Sequence, residues 1–73
     1  MSLLHGKPGD PLTDKQLLVL QLAAEGLTDK MIARQLGCSQ TTAGDHMRAV
    51  LYRLRAFTRT HAVTLAFRQG LIR

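Results

Sequence analysis

The 73 residues leave room for one domain with one small core, since a chain this short buries only about 60% of the surface its unfolded form exposes, and that excludes a substrate cleft carried on a separate scaffold. The apolar fraction of 45% is ordinary, but with one Tyr and two Phe the core must be filled by aliphatic side chains, which suits packed helices better than a sheet. Ten Lys and Arg against five Asp and Glu give a net charge of +5, a balance that fits a polyanionic partner.

In chain order, Met1 to Pro11 contains Gly6, Pro8-Gly9 and Pro11 and shows no apolar period, so residues 1–11 read as a flexible leader or linker. Thr13 with Gln16 three residues on forms a capping box, Leu12 can staple onto the first turn, and helix 1 is expected to run to about Glu25. Its buried face is Leu20, Ala23, Ala24 and Leu27, with Val19 beside it and Gly26 as the left-handed stop, while Leu17 and Leu18 fall partly outside. Thr28 caps a short helix 2, Asp29 to Leu36, with Asp29 near its positive end and Ile32, Ala33 and Leu36 inward. Gly37 ends it and Ser39 caps helix 3, roughly Gln40 to Arg55, with Ala43, Met47, Val50, Leu51 and Leu54 facing in. Thr58 opens helix 4, about Arg59 to Gln69, where Ala62, Val63, Ala66 and Phe67 face in and Gly70 stops it. No strand pattern and no repeat is visible, so the expected class is all-α, four helices without a wing.

The charge is unevenly spread. Through Leu27 there are two basic residues (Lys7, Lys15) against three acidic (Asp10, Asp14, Glu25); from Thr28 onward there are eight against two. Cys38 has no intramolecular partner, and His5, His46 and His61 are too scattered to hold a metal. No nucleophile with its base and no phosphate loop is present, so no enzyme activity and no cofactor is expected. No wholly apolar run exceeds four residues, Leu17 to Leu20, and no signal pattern opens the chain, so the expected setting is the cytoplasm, away from membranes.

A short helix, a tight turn containing glycine and a longer helix form a helix-turn-helix, whose second helix can enter the DNA major groove. The residues Leu12-Thr13, Val19-Leu20-Gln21-Leu22, Glu25-Gly26-Leu27-Thr28-Asp29-Lys30, Ile32-Ala33-Arg34-Gln35-Leu36-Gly37, Ser39, Thr41-Thr42, His46, Leu51 and Leu54 resemble the LuxR-type, GerE-like effector domain of bacterial transcription regulators. Thr58-Arg59, Ala62-Val63 and Ala66-Phe67-Arg68-Gln69-Gly70-Leu71-Ile72 continue the match, which runs from Leu12 to Ile72 without a gap. Region 4 of a sigma factor shares the Leu-Thr opening but lacks a helix 4 followed by Gly-Leu-Ile.

The resemblance implies a domain over residues 12–73 that binds double-stranded DNA in a sequence-specific way, with a helix-turn-helix at about 29–48 and recognition helix 40–55. It also implies a homodimer through helix 4 on two half-sites, and an effector domain of a longer response regulator or ligand-sensing regulator. RNA polymerase becomes a candidate partner, and no small-molecule ligand is expected in this domain. Lys30 and Arg34, with Ser39, Gln40 and Thr41 at the positive start of helix 3, suit phosphate contact, and Thr42 joins the expected DNA-binding set. Positions 41, 44, 45 and 48 share a face; Arg48 suits guanine, and Arg53 is placed for phosphate. His46 matches a family position and joins this set, although a histidine at the edge of an apolar stripe is more commonly a packed or capping side chain. His61, Thr64, Leu65 and Arg68 form the expected dimer face.

Three positions depart from the family pattern. Gly44 and Asp45 stand where relatives often carry lysine and a neutral residue, removing a cation and adding an anion to the reading face. Arg55 replaces a common glycine, so the end of helix 3 is expected to differ. A protein-interaction module that kept the fold and lost DNA affinity is the alternative, and Gly44→Lys separates the two. Cys38 reads as a small buried hydrophobe in the turn; Leu17, Leu18 and Met31 are either scattered surface hydrophobes or a partner face.

Overall fold

Each helix begins at a hydroxyl. In the computed structural model, which describes residues 9–73, the helices are α1 (Asp14–Ala24), α2 (Asp29–Leu36), α3 (Gln40–Leu54) and α4 (Arg59–Arg68). Thr13, Thr28, Ser39 and Thr58 all hold extended backbone angles, and each side-chain oxygen accepts the amide three residues on. At α1 the capping box closes both ways: Gln16 N–H donates to Thr13 Oγ1 at 3.1 Å, and Thr13 N–H donates to Gln16 Oε1 at 3.0 Å. Such caps contribute about 1 kcal/mol apiece by taking amides that the helix cannot pair.

The helices also stop alike. A residue in the left-handed region follows the last turn, and the next amide reaches back to a carbonyl five residues earlier: Leu27 to Leu22, Cys38 to Ala33, Ala56 to Leu51 and Leu71 to Ala66. Glycine holds that position at 26, 37 and 70. After α3 it is Arg55, with φ 56°. The expectation that helix 3 would end differently without glycine is therefore corrected: the same closure forms, and the arginine bears the left-handed strain. The helix ends fall a residue earlier than expected at Ala24, Leu54 and Arg68, because Glu25, Arg55 and Gln69 serve as C-caps.

The core sits between all four helices, and α3 packs against each of the others. Val19 and Leu20 of α1, Ile32 of α2, Ala43 and Val50 of α3, and Ala62 and Ala66 of α4 are fully buried; each large aliphatic side chain there contributes about 1.5–3 kcal/mol. Two expectations are corrected. Phe67 does not face in but is half exposed, because α4 approaches through the small side chains Ala62 and Ala66 and Phe67 lies one residue past that contact line. Ile72, beyond the helix, fills the core instead. Leu22, Gln16 and Ala49 are buried although the apolar stripes omitted them; Ala24, Leu27, Leu36, Cys38, Leu51, Leu54 and Val63 are half-buried around the core.

The expected leader is only partly visible: residues 1–8, including His5 and Lys7, lie outside the described residues. Its inner end is tied down. Gly9 N–H donates to the Arg53 carbonyl at 2.8 Å, and Arg53 Nη1 donates to the Pro11 carbonyl at 2.7 Å. Among the described residues no helix is long and apolar enough to cross a membrane.

Candidate nucleic-acid interface

The turn between α2 and α3 is residues 37–39. Gly37 adopts φ 71°, which lets the chain reverse within three residues and hands it to the Ser39 cap. Cys38, half-buried against the core, pins the turn from below. On top, Ser39, Gln40, Thr41 and Thr42 are all exposed. Ser39 Oγ accepts the Thr42 amide at 3.0 Å and donates to Thr42 Oγ1 at 2.9 Å. The earlier amides of α3 have no intrahelical acceptor, so the helix start presents donors and a partial positive charge. Lys30 and Arg34, one turn apart on α2, are exposed cations on the neighbouring helix.

Along α3, positions 41, 45 and 48 fall within about 60° of one another around the helix axis. Thr41 is exposed there, and Arg48 Nη1 donates to Asp45 Oδ1 at 2.8 Å, with the two side chains 73% and 45% exposed. Tyr52 continues the line at half exposure. Sequence reasoning passed over it, although the spacing 41, 45, 48, 52 is the signal that finds it. His46 lies one step round the helix, half-buried, in a groove of about 440 Å³ shared with Thr13, Gln16, Thr42, Asp45, Ala49 and Arg53.

Gly44 lies on the side of this face toward α2. A Cβ built there meets Asp29 Oδ2 at 3.7 Å, an ordinary contact. The same Asp29 accepts from Arg59 at the first turn of α4. The carboxylate of α2 thus pairs with α4 and borders Gly44 of α3, and a residue singled out only for its helix dipole joins the helix-turn-helix to α4. Arg59, absent from the expected site, is its cation. Arg53, expected at phosphate, has its guanidinium on the Pro11 carbonyl.

The expected dimer residues divide. Thr64 and Arg68 are exposed, whereas Leu65 and His61 are half-buried. His61 Nδ1 accepts the Phe57 amide at 3.0 Å and its ring stacks on Phe57 at 5.5 Å between centroids. The large apolar surface near this helix belongs to Phe57, 90% exposed, and to the half-exposed Phe67 and Leu71. Among the described residues no group of three or more His, Cys, Asp or Glu could hold a metal ion.

Comparison with known proteins places this geometry. Residues 10–66 match the family described as bacterial regulatory proteins, luxR family. The chain is 39% identical over 61 residues to transcriptional regulatory protein YdfI of Bacillus subtilis, covering 84% of this chain and 29% of that protein. It is 42% identical over 63 residues to a nitrate/nitrite response regulator protein homolog of Haemophilus influenzae, covering 86% and 30%. With the HTH-type transcriptional regulator AlkS of Pseudomonas putida it shares 41% identity over 68 residues, 93% of this chain and 8% of that one. The chain thus spans less than a third of the length of these relatives.

Proposed function

This chain belongs to the luxR family of bacterial regulatory proteins, a class of transcription regulators and not of enzymes, and from that premise we propose that it binds duplex DNA sequence-specifically, with α3 in the major groove. The observation that carries the reading is the shared exposure of two surfaces: the cations Lys30 and Arg34 on α2, and the line Thr41, Asp45, Arg48 on α3 beside the tight turn. Lys30, Arg34, Ser39, Gln40, Thr41 and Thr42 position the sugar-phosphate strand. Asp45 and Arg48 meet base edges, and His46 with Gly44 borders the groove-facing line. Two copies pair through α4, with Thr64, Phe67 and Arg68 at the contact, so that two reading helices address two half-sites. The share of each relative that the chain covers supports its being the effector part of a longer regulator, and the family reading extends this to a cytoplasmic regulator that acts on RNA polymerase at promoters.

The test is fluorescence anisotropy of labelled duplexes, random and promoter-derived, across a salt series. Each phosphate contact contributes about −0.9 to the slope of log affinity against log salt, and the expected result is a steep slope with a sequence-dependent remainder. A folded sample that binds no duplex at low salt contradicts the proposal. It favours instead a protein-interaction module, to which Asp45 on the reading face would then belong.

A further inference from the structure

We propose that Asp45 and Arg48 act as one reading unit, selecting a guanine at Arg48 and a cytosine in an adjacent base pair at Asp45. This rests on the duplex-binding reading above and goes further by assigning the base preference.

The contact between them uses Arg48 Nη1 and Asp45 Oδ1 at 2.8 Å. Among the described residues no other partner takes the rest of the guanidinium or the second carboxylate oxygen, and both side chains are open to solvent. A guanidinium already held at one nitrogen keeps a planar donor edge for guanine O6 and N7 and has less rotamer freedom to lose on docking. The carboxylate carries acceptors only. In the major groove guanine shows N7 and O6, thymine O4, and adenine an N7 acceptor next to its amino group, while cytosine alone shows an amino donor with no acceptor. Asp45 therefore repels or half-mismatches three bases and pairs with the fourth.

The charge of the pair supports the same assignment. Asp45 and Arg48 neutralise each other, so together they add little to phosphate attraction, which falls to Lys30, Arg34 and the α3 start. A salt-bridged pair at the groove-facing centre is a poor device for affinity and a good one for discrimination. Asp45 also borders the groove that Thr13, Gln16, Thr42, His46 and Arg53 line; the Arg53 guanidinium lies on Pro11.

The experiment selects duplexes from a randomised pool with the whole chain and then titrates single-base variants of the winner by anisotropy at fixed salt. Wild type should lose roughly tenfold to a hundredfold when the guanine or its neighbouring cytosine is replaced. Asp45→Asn, of the same shape but able to donate as well as accept, should bind random duplex more tightly and lose the cytosine preference; Asp45→Ala should weaken the guanine preference as well. Arg48→Lys should lose the guanine preference, since a point charge cannot replace a fork. Circular dichroism confirms that these surface variants keep their helices. Unchanged base preferences in both Asp45 variants overturn the proposal. Steeply salt-dependent binding of wild type with no base preference overturns it while leaving the duplex reading intact. Absence of any duplex binding removes both.

Discussion

Arg53 holds the start of the described chain at two points: its Nη1 donates to the Pro11 carbonyl at 2.7 Å, and its own carbonyl accepts the Gly9 amide at 2.8 Å. The bonds fasten the segment that leads into α1 onto the last turns of α3, and the groove beside them is lined by Leu12, Leu17, Leu54 and Leu71. Arg53→Ala should cost about 1 kcal/mol or less, the range of a hydrogen bond at an exposed site, and should lower the hydrogen-exchange protection of Gly9. The salt slope of duplex binding should stay the same, because the guanidinium serves Pro11; a slope shallower by about 0.9 would place it on a phosphate instead.

Arg55 occupies the left-handed position that glycine holds after the other three helices. An L side chain there costs about 1–2 kcal/mol relative to a relaxed backbone. Arg55→Gly should therefore raise stability by roughly 1 kcal/mol, after allowing for the greater freedom that glycine gives the unfolded chain. Urea denaturation checks the sign: a loss of stability means that the Arg55 side chain makes up for its own backbone strain.

Gly44 sits inside α3 without needing to be glycine. It has no positive φ, and a Cβ there meets only Asp29 Oδ2, at 3.7 Å. Gly44→Ala should stabilise the domain by roughly 0.5–1 kcal/mol, read as a rise in thermal midpoint, because alanine restores helix propensity at no steric cost. Gly44→Lys should add duplex affinity on top of that. Its ammonium also comes within reach of Asp29 and competes with Arg59, so the gain in stability should be smaller than for alanine.

Pairing of two copies through α4 needs apolar surface, and Phe67 is the half-exposed aromatic that the helix presents. Phe67→Glu keeps a good helix former while placing an anion at the contact. Sedimentation should show a self-associating wild type and a monomeric variant with unchanged helicity. A variant that associates as wild type does would move the contact to Phe57 or off α4 altogether.

The local architecture was legible in the sequence because its causes are local. Four hydroxyl caps, a reciprocal Thr13–Gln16 box and a glycine after three helices are decided by residues within a few positions of one another, so the helix starts at Asp14, Asp29, Gln40 and Arg59 follow directly. The inward stripe of α3 through Ala43, Met47 and Val50 is equally a matter of period. The family resemblance, drawn from Leu12 to Ile72, agrees with the luxR match over residues 10–66.

What periodicity could not decide was which side of an apolar residue finds a neighbour. Phe67 and Ile72 are both apolar near the end of the chain, yet only Ile72 reaches the core, because that depends on how closely the alanines of α4 let it approach. The long-range pairs were beyond reach for the same reason. Arg59 with Asp29 and Arg53 with Pro11 join residues 30 and 42 positions apart, and a charged side chain chooses its partner only after packing has set which groups face it. The sequence by itself determined where helices start and stop and which family they form. Only the tertiary structure decided that Asp29 of α2 pairs with Arg59 of α4, and that Arg55 takes a glycine's place at the cost of strain, since packing places the Asp29 partner and imposes the left-handed turn after α3.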